Sequence, residues 1–476
     1  MVALSHNNRV LGELAKGRCD VPGKPCWLPT DDQASSDIQI MEIKEFVKRN
    51  SSFMGLARNS AELYSIVSQN KLAVVLGVEI DNIGNYCPQP LPAAPHLCRK
   101  AVLSADEITA ELTRLYKQDV RYIFPVHVTD NAFGGTAPYN DLFNAANFAE
   151  IGSFWDVECA GTLPYPDDEI GFRTANVTII DEIDAAIPHP FNSVVPKGVP
   201  VPRSPQNCAP GAGHRNKKGL NMTKFAKPPL GRPNVGIGEF ALTEMMRLGF
   251  IIDIDHMSHR TTEDVLGIAE RVAGGGYPLM SGHSAIRQRG TDFIAESLRT
   301  PAQLERIGCL GGMFGLGTDH AEPRKWAAQY QNALNIIRSR PPRCGHKELG
   351  LGAVALGTDI NSLVKTPKPL LEGEQSDRQL NVYASTVNNA RRFPESPSQM
   401  TMSNGFNKTW DFRTHGVAHY GMFADFIKAV WTFPLDHGRG MHMPGKNLVE
   451  DHLDRNADNF WHMWVKVEQQ KRKVFR

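Results

Sequence analysis

The chain has 476 residues, of which 41% are hydrophobic and 22% are charged. This composition supplies enough apolar side chains for a large core and excludes a disordered or coiled-coil chain. The 52 basic and 51 acidic residues leave a formal net charge of +1, so no bulk field would attract nucleic acid or an anionic membrane surface. We therefore expect small or neutral partners and no nucleic acid.

Seven short apolar runs bounded by turn residues predict the strands of the chain. They lie near residues 2–4, 72–78, 121–126, 250–254, 278–281, 309–315 and 353–357. Amphipathic patterns between most of these runs predict helices over 37–49, 60–69, 105–118, 237–248, 261–273 and 300–307. Ser60, Ser104 and Thr300 stand where N-cap residues are expected. Alternating strands and helices predict a parallel sheet.

The strand runs are rich in Val, Ile and Leu without polar alternation, as a sheet covered on both faces requires. Seven such units favour an α/β fold of the TIM-like (β/α)8 barrel type. The first run begins at Met1, with no helix or linker before it. We therefore expect a barrel that lacks its first strand, with further sequence upstream. An open, doubly wound sheet is the alternative that the pattern leaves.

Two stretches lose the periodicity of strands and helices. Pro, Gly and Asn dominate from about 136 to 235, which predicts a long irregular insertion between the fourth and fifth strands of a complete barrel. A second irregular stretch, 365–411, follows the last predicted strand, and 412–464 has a helical pattern. We expect a barrel domain over residues 1–364 and a C-terminal extension over 365–476 that packs on it.

The eight cysteines contain no Cys-x-x-Cys pair, which argues against a zinc ribbon or thioredoxin-like chemistry. Cys19 with Cys26 and Cys87 with Cys98 are close enough in sequence for local disulfides, with free thiols as the equal alternative. No run is long and apolar enough to span a membrane, and the first residues lack the features of a secretory signal. The compartment stays open, and a secreted or periplasmic location fits if an upstream signal segment has been lost.

Polar residues follow five of the predicted strands at the point where each strand ends. These residues are Glu79, His127, His256, His283 and Asp359. In a barrel the active site is built at the carboxyl ends of the parallel strands, so these side chains are expected to converge. One Glu and two His match the ligand types of catalytic zinc sites. Taken singly, each residue has a structural alternative, as a hydrogen-bonded histidine or a helix cap.

Two local contexts strengthen the metal-site hypothesis. His256 lies in IIDIDHMSHRTTEDVL, where Ser258 and Thr261 or Thr262 can begin the next helix and leave the imidazole at the barrel mouth. His283 lies in PLMSGHSAIR, where small residues leave room for a metal ion beside the backbone. His259 falls on the helix side of its segment, and we expect it at the surface.

With these residues in view, the sequence resembles the membrane dipeptidase (renal dipeptidase) family of zinc peptidases. The matching segments are VVLGVEIDNIG around Glu79, YIFPVHVTDNAFGG around His127, MMRLGFIIDIDHMS around His256, PLMSGHSAIR around His283, LRTPAQLERI around Arg299 and ALGTDINS around Asp359. They follow the family's order and span about residues 72–362. The HMS and SGHS segments at this spacing are the more specific ones.

This resemblance implies a barrel of the metal-dependent hydrolase type that binds two zinc ions. Glu79 would bridge the ions, and His256 and His283 would hold the second one. The implied activity is the hydrolysis of dipeptides, in which a zinc-bridging hydroxide attacks the peptide carbonyl. A small-molecule peptide would be the substrate, and a homodimer is left open.

The resemblance also implies roles for the remaining residues. His127 would orient the substrate or polarise its carbonyl, and Asp359 would act as the acid/base near the bridging water. Arg299 would receive the substrate carboxylate, because a guanidinium fork fits a free carboxylate. Arg287 and Arg289 are rival candidates for that contact.

One departure from the family puts the activity of this chain in question. The family holds the first zinc ion with a His-x-Asp motif on the first barrel strand, and this sequence has none, since His6 is followed by two asparagines. Either upstream sequence supplies the motif, or the chain is a relative with one metal ion or none. The alternatives to a dipeptidase are therefore a barrel amidohydrolase acting on another amide, lactone or ester, and a non-catalytic relative with an incomplete metal site.

Overall fold

A curled sheet of parallel strands with helices between them forms the centre of the protein. The computed structural model describes residues 1–7, 31–87, 100–101, 104–139, 141–159, 214–287, 295–319, 321–339, 344, 352–360, 366–368, 399–402, 408–418, 422–435 and 442–474. The strands are β1 (Val2–Asn7), β2 (Met54–Leu56), β3 (Leu72–Ile80), β4 (Tyr86–Cys87), β5 (Lys100–Ala101), β6 (Tyr122–Ile123), β7 (Val157–Cys159), β8 (His214–Asn216), β9 (Ile251–Asp253), β10 (Leu279–Ser284), β11 (Met313–Gly317), β12 (Ala353–Gly357), β13 (Gln399–Met402) and β14 (Lys408–Asp411). The helices are α1 (Asp32–Arg49), α2 (Ser60–Ser68), α3 (Ala105–Lys117), α4 (Asp141–Ile151), α5 (Ile237–Leu248), α6 (His259–Glu270), α7 (Pro301–Cys309), α8 (Pro323–Arg338), α9 (Phe412–His415), α10 (Phe423–Thr432), α11 (Gly445–Asp451) and α12 (Asn456–Gln470). Short 3-10 helices cover Ile83–Asn85, Leu453–Arg455 and Lys471–Lys473.

The order of the strands identifies the fold. Strands β1, β3, β6, β9, β10, β11 and β12 lie side by side in that order, and every neighbouring pair is parallel. All seven predicted strand runs overlap these strands, and the α/β, TIM-like barrel prediction is confirmed. The doubly wound alternative is wrong, because such a sheet reverses its strand order part-way. Among the described strands, β1 and β12 form the two ends of the sheet.

Capping residues define where several helices begin. Ser104 and Thr300 each form a capping box, with Glu107 and Gln303 respectively, so both predicted N-caps are confirmed. Of the candidate starts that the sequence leaves open for α6, Ser258 is the N-cap residue. The prediction for Ser60 is wrong by one residue, because the Asn59 side chain accepts the capping hydrogen bond.

Strand β3 shows why the sheet needs cover on both faces. Ala73, Val74, Val75, Leu76 and Val78 are each at most 4% exposed. Val74 packs with Val47 of α1 on one face. Successive side chains of a strand point to opposite faces, so Glu79 shares the other face with Val75. That face is the barrel interior, and Glu79 is 2% exposed there.

The segments outside the barrel strands contain further elements. Between β6 and α5 the structure describes α4 and the antiparallel pair of β7 and β8. Within 365–476 it describes the β13–β14 hairpin and helices α9 to α12. Helix α12 is anchored to the barrel, because Lys466 donates to the carbonyls of Gly275 and Leu310 and Glu468 accepts from the Ser60 hydroxyl.

A disulfide joins Cys309, at the end of α7, to Cys344. This pair was not singled out in the sequence. The pairings expected of Cys19 with Cys26 and of Cys87 with Cys98 fall on side chains outside the described residues. No described helix has the length and apolar character needed to cross a membrane.

Candidate metal centre

Three donor atoms from the ends of three barrel strands meet at one point. The Nε2 atom of His256 lies 2.9 Å from Oε1 of Glu79 and 2.8 Å from Nε2 of His283. The Nε2 atom of His283 lies 3.5 Å from the same Glu79 oxygen. Ligands of a tetrahedral zinc ion at the usual bond lengths are about 3.3 Å apart. The triangle therefore fits a metal ion with little rearrangement.

The contact between the two imidazoles needs a cation. Two ring nitrogens 2.8 Å apart repel each other when both present lone pairs or both present protons, so they must share a proton or a metal ion. Burial opposes protonation of His283, but the charges of Asp359, Glu79 and neighbouring aspartates outweigh it and raise its pKa to about 10. The surrounding carboxylates thus favour positive charge at this point, as a metal site requires.

Glu79 is held ionised in this surrounding. Burial acts to raise the pKa of its carboxyl, but the charge of His283 and the hydrogen bond with His256 bring that pKa well below its ordinary value. Burial lowers the pKa of His256, against the hydrogen bond to Glu79. An ionised carboxylate beside a neutral imidazole is the protonation state in which both bind a divalent metal ion.

His127 lies beside this triangle and is fixed by a buried carboxylate. Its Nδ1 atom lies 2.7 Å from Oδ1 of Asp81, and both side chains are buried. The rings of His127 and His256 are 4.7 Å apart between centroids. Ligand atoms of Glu79, His127 and His256 all lie within 4.8 Å of one another. The geometry therefore places His127 close enough to contact a substrate at the metal centre, or the metal ion itself.

Two aspartates of the IIDIDH segment lie close to His283. Asp255 accepts hydrogen bonds from the Ser281 hydroxyl and from the backbone N–H of His283, and its Oδ2 lies 3.8 Å from Nδ1 of His283. Asp253 accepts a hydrogen bond from the phenol of Tyr122. Asp253, Asp255 and His283 also bring ligand atoms within 4.8 Å of one another. Asp255 therefore fixes the backbone of His283, and both carboxylates place negative charge beside its ring.

Asp359 and Arg299, the other two predicted site residues, lie at the same end of the barrel. Burial raises the pKa of Asp359, the charge of His283 opposes that shift, and Asp359 has the left-handed φ of 43°. Arg299 is 1% exposed, and its Nε lies 3.9 Å from Oδ1 of Asp255. The guanidinium donates to the Thr262 hydroxyl and to the Ser297 carbonyl. All six predicted site residues are thus near one another.

Of the two rival arginines, only one lies among the described residues. Arg287 is buried and donates to the carbonyl of Glu296. Arg289 lies outside the described residues. Strand β1 pairs with β3 so that the backbone of His6 is in register with Glu79.

One expectation about a histidine is wrong. His259 is buried instead of at the surface, because it is the first residue of α6 and packs against α7. Its Nδ1 lies 3.2 Å from the side-chain amide of Gln303. Burial, together with the charges of nearby arginines, lowers its pKa to about 3. His259 is therefore a neutral structural residue.

Four residues of the site were missed in the sequence, namely Asp81, Asp253, Asp255 and Tyr139. Asp81 stands two residues after Glu79, so the rule that alternate residues share a face could have found it. Asp253 and Asp255 alternate with each other and not with His256, and their only signal is their position at the end of the same predicted strand. Tyr139, whose hydroxyl lies 2.6 Å from Nδ1 of His256, carries no such signal.

Comparison with known proteins found similar solved structures but no similar sequence. No protein-family model and no curated protein sequence matches the chain. The chain is similar in structure to M19 dipeptidases. These structures include the dipeptidase AC, a metallo peptidase of family M19, with 14% identity over 77% of this chain and 73% of that chain and a TM-score of 0.40. Similar solved structures also include the probable dipeptidase PvdM from Pseudomonas aeruginosa, with 14% identity over 93% of this chain and 81% of that chain and a TM-score of 0.39.

An amidohydrolase from Pseudomonas aeruginosa is similar as well, with 12% identity over 90% of this chain and 85% of that chain and a TM-score of 0.43. The family-level resemblance found in the sequence is thus also found among solved structures.

Proposed function

We propose that the chain is a metal-dependent hydrolase that cleaves dipeptides. The observation that carries this proposal is the triangle of donor atoms from Glu79, His256 and His283. One carboxylate with two imidazoles is a ligand set of catalytic zinc sites that keep a position open for water. When bound, a zinc ion supplies a water of lowered pKa and an electrophile for the substrate carbonyl.

The neighbouring side chains supply the remaining functions. His127, fixed through its Nδ1 by Asp81, orients the substrate carbonyl. Asp359 is a carboxyl whose pKa is raised by burial, and such a group can hold a proton and pass it to the leaving amine. Arg299 offers a positive charge at the same end of the barrel for the carboxylate of a dipeptide.

A second candidate is a barrel hydrolase for an amide, lactone or ester without a free carboxylate. It is favoured by the engagement of Arg299, which is almost fully buried and already donates to Thr262 and Ser297. A guanidinium held in this way has fewer donors for a substrate. Both candidates use the same metal centre. They differ in whether the substrate carries a free carboxylate beyond the bond that is cleaved.

Metal content and hydrolysis, measured together, test the proposal. We expect the purified chain to bind zinc and to release amino acids from a panel of dipeptides. Glu79→Gln and His283→Ala should each lower kcat/KM by more than about 100-fold, beyond the loss typical of an outer partner. His462→Ala, in an exposed position on α12, is the matched control and should leave activity unchanged. A chain that binds no divalent metal ion would overturn the proposal, and cleavage of lactones or esters in place of dipeptides would favour the second candidate.

A further inference from the structure

We propose that Tyr139 is a positioning residue that sets the orientation and tautomer of His256 and so the affinity of the site for its metal ion. This inference rests on the metal centre of the proposed function, and it adds a residue that lies in the segment between β6 and β9. Tyr139 follows none of the barrel strands, and neither its spacing nor its sequence context marks it as part of the site.

The first observation is the pair of contacts on the His256 ring. The Tyr139 hydroxyl lies 2.6 Å from Nδ1, while Nε2 faces Glu79 and His283. Both ring nitrogens therefore have partners, and the ring cannot turn over without losing both. An imidazole that binds a metal ion through Nε2 carries its proton on Nδ1, so this N–H donates to the phenol oxygen.

The second observation concerns the backbone of His256. This residue has a φ of 66°, in the left-handed region that a side chain other than glycine rarely adopts. The residues just before Tyr139 hold it there. The Thr136 hydroxyl and the Ala137 backbone N–H both donate to the His256 carbonyl, at 2.9 and 2.7 Å. One short segment thus fixes both the backbone and the ring of the same ligand.

The third observation is that Tyr139 is itself held in place. Its ring makes an edge contact with Phe143 of α4, with 5.7 Å between centroids. The same Thr136 hydroxyl lies within hydrogen-bond distance of the His127 carbonyl, so its one proton is shared between two residues of the site. A phenol supported in this way can restrain an imidazole, whereas a mobile one could not. Removing an outer partner of a metal-binding histidine commonly lowers metal affinity about 10- to 100-fold.

The test compares Tyr139→Phe with Tyr277→Phe. Both changes remove one phenolic hydroxyl and keep the ring, but Tyr277 donates to the carbonyl of Phe250 in the core. Zinc affinity is measured on the full chain by competition with a chelator, and thermal unfolding of the metal-free protein is measured in parallel. We expect Tyr139→Phe to weaken zinc binding about 10- to 100-fold with little change in unfolding. Tyr277→Phe should lower the unfolding temperature and leave zinc affinity unchanged.

A double-mutant cycle separates action through His256 from a general structural effect. In a His256→Ala background, adding Tyr139→Phe should cause no further loss of zinc affinity, because the partner is gone. Wild-type affinity in Tyr139→Phe would overturn the inference, as would an equal loss in the two backgrounds or a chain that binds no zinc. If His256→Ala abolishes zinc binding, the zinc affinities of Tyr139→Phe and Tyr277→Phe decide whether the inference stands. Zinc binding without hydrolysis would count against the proposed function alone.

Discussion

The Nδ1 atom of His127 lies 2.7 Å from a carboxylate oxygen of Asp81, and the two side chains are among the least exposed in the barrel. Asp81 follows Glu79 by two residues, so one strand end supplies both a candidate metal ligand and the anchor of a neighbouring histidine. A buried carboxylate on Nδ1 fixes which ring nitrogen is available for chemistry. The end of β3 therefore supplies a candidate metal ligand, Glu79, and also the carboxylate that fixes the ring of His127.

Asp81→Asn should lower kcat/KM without removing the metal ion. The amide can still contact the imidazole, but it no longer favours the tautomer in which Nδ1 carries the proton, and we expect a loss of about 10- to 100-fold. Steady-state hydrolysis and elemental analysis measure the two effects. His127→Gln is the companion variant and should retain metal as well. Loss of zinc from His127→Gln would make His127 a ligand in place of a substrate contact.

Arg299→Lys tests whether this guanidinium receives a substrate carboxylate. If it does, kcat/KM for a dipeptide should fall about 100-fold, since a lysine cannot replace a two-pronged hydrogen bond, while the corresponding dipeptide amide should be little affected. Arg287→Lys is the companion variant, because Arg287 is also buried and is the rival candidate for this contact, so a selective loss there in place of Arg299→Lys would assign the carboxylate to Arg287. Equal losses for the acid and the amide would assign Arg299 to structure, through its bonds to Thr262 and Ser297.

The barrel strands and the convergence of the strand-end residues could be predicted because both follow from short-range patterns. A buried strand is visible as an apolar run, and parallel order brings Glu79, His256 and His283 to the same end. Tyr139 could not be predicted, since its position depends on how a segment with no periodicity packs against His256. The burial of His259 was missed for a related reason, because its contact with Gln303 joins two different helices, α6 and α7, across 44 residues of chain.

Glu296 should make the stability of the protein depend on pH. Its carboxylate accepts the backbone N–H groups of His259 and Asn216, and burial, opposed by these bonds and by the charges of Arg287 and Arg215, raises its pKa from 4.5 to about 7. The unfolded chain therefore loses this proton before the folded one does. The stability that Glu296 contributes is fully present below pH 4.5 and is lost as the pH rises through 7.

Comparison with Glu296→Gln isolates this contribution. The shift corresponds to about 3 kcal/mol, so the difference in unfolding free energy between the wild type and Glu296→Gln should change by roughly that amount between pH 4.5 and pH 8, in favour of the variant. Urea unfolding at several pH values measures it. The other carboxylates are present in both proteins, so their contributions to the pH dependence cancel in this difference. A difference that stays constant over this range would contradict the prediction.

Gly315→Ala should disrupt the sheet beside the metal centre. A Cβ at this position would lie 1.8 Å from the carbonyl oxygen of Gly282, the residue before His283, so β10 and β11 would have to separate. Overpacking of this kind typically costs about 1–3 kcal/mol, and a clash with backbone belongs at the upper end. We expect weaker zinc binding together with lower stability, because His283 shares the displaced strand.

Gly267→Ala in α6 is the matched control, since its Cβ would meet only the end of the Arg271 side chain, and it should stabilise the helix by about 0.5–1 kcal/mol. Urea unfolding of both variants, with zinc titration, checks the prediction, and unchanged zinc affinity in a destabilised Gly315→Ala would separate the strand spacing from the metal centre.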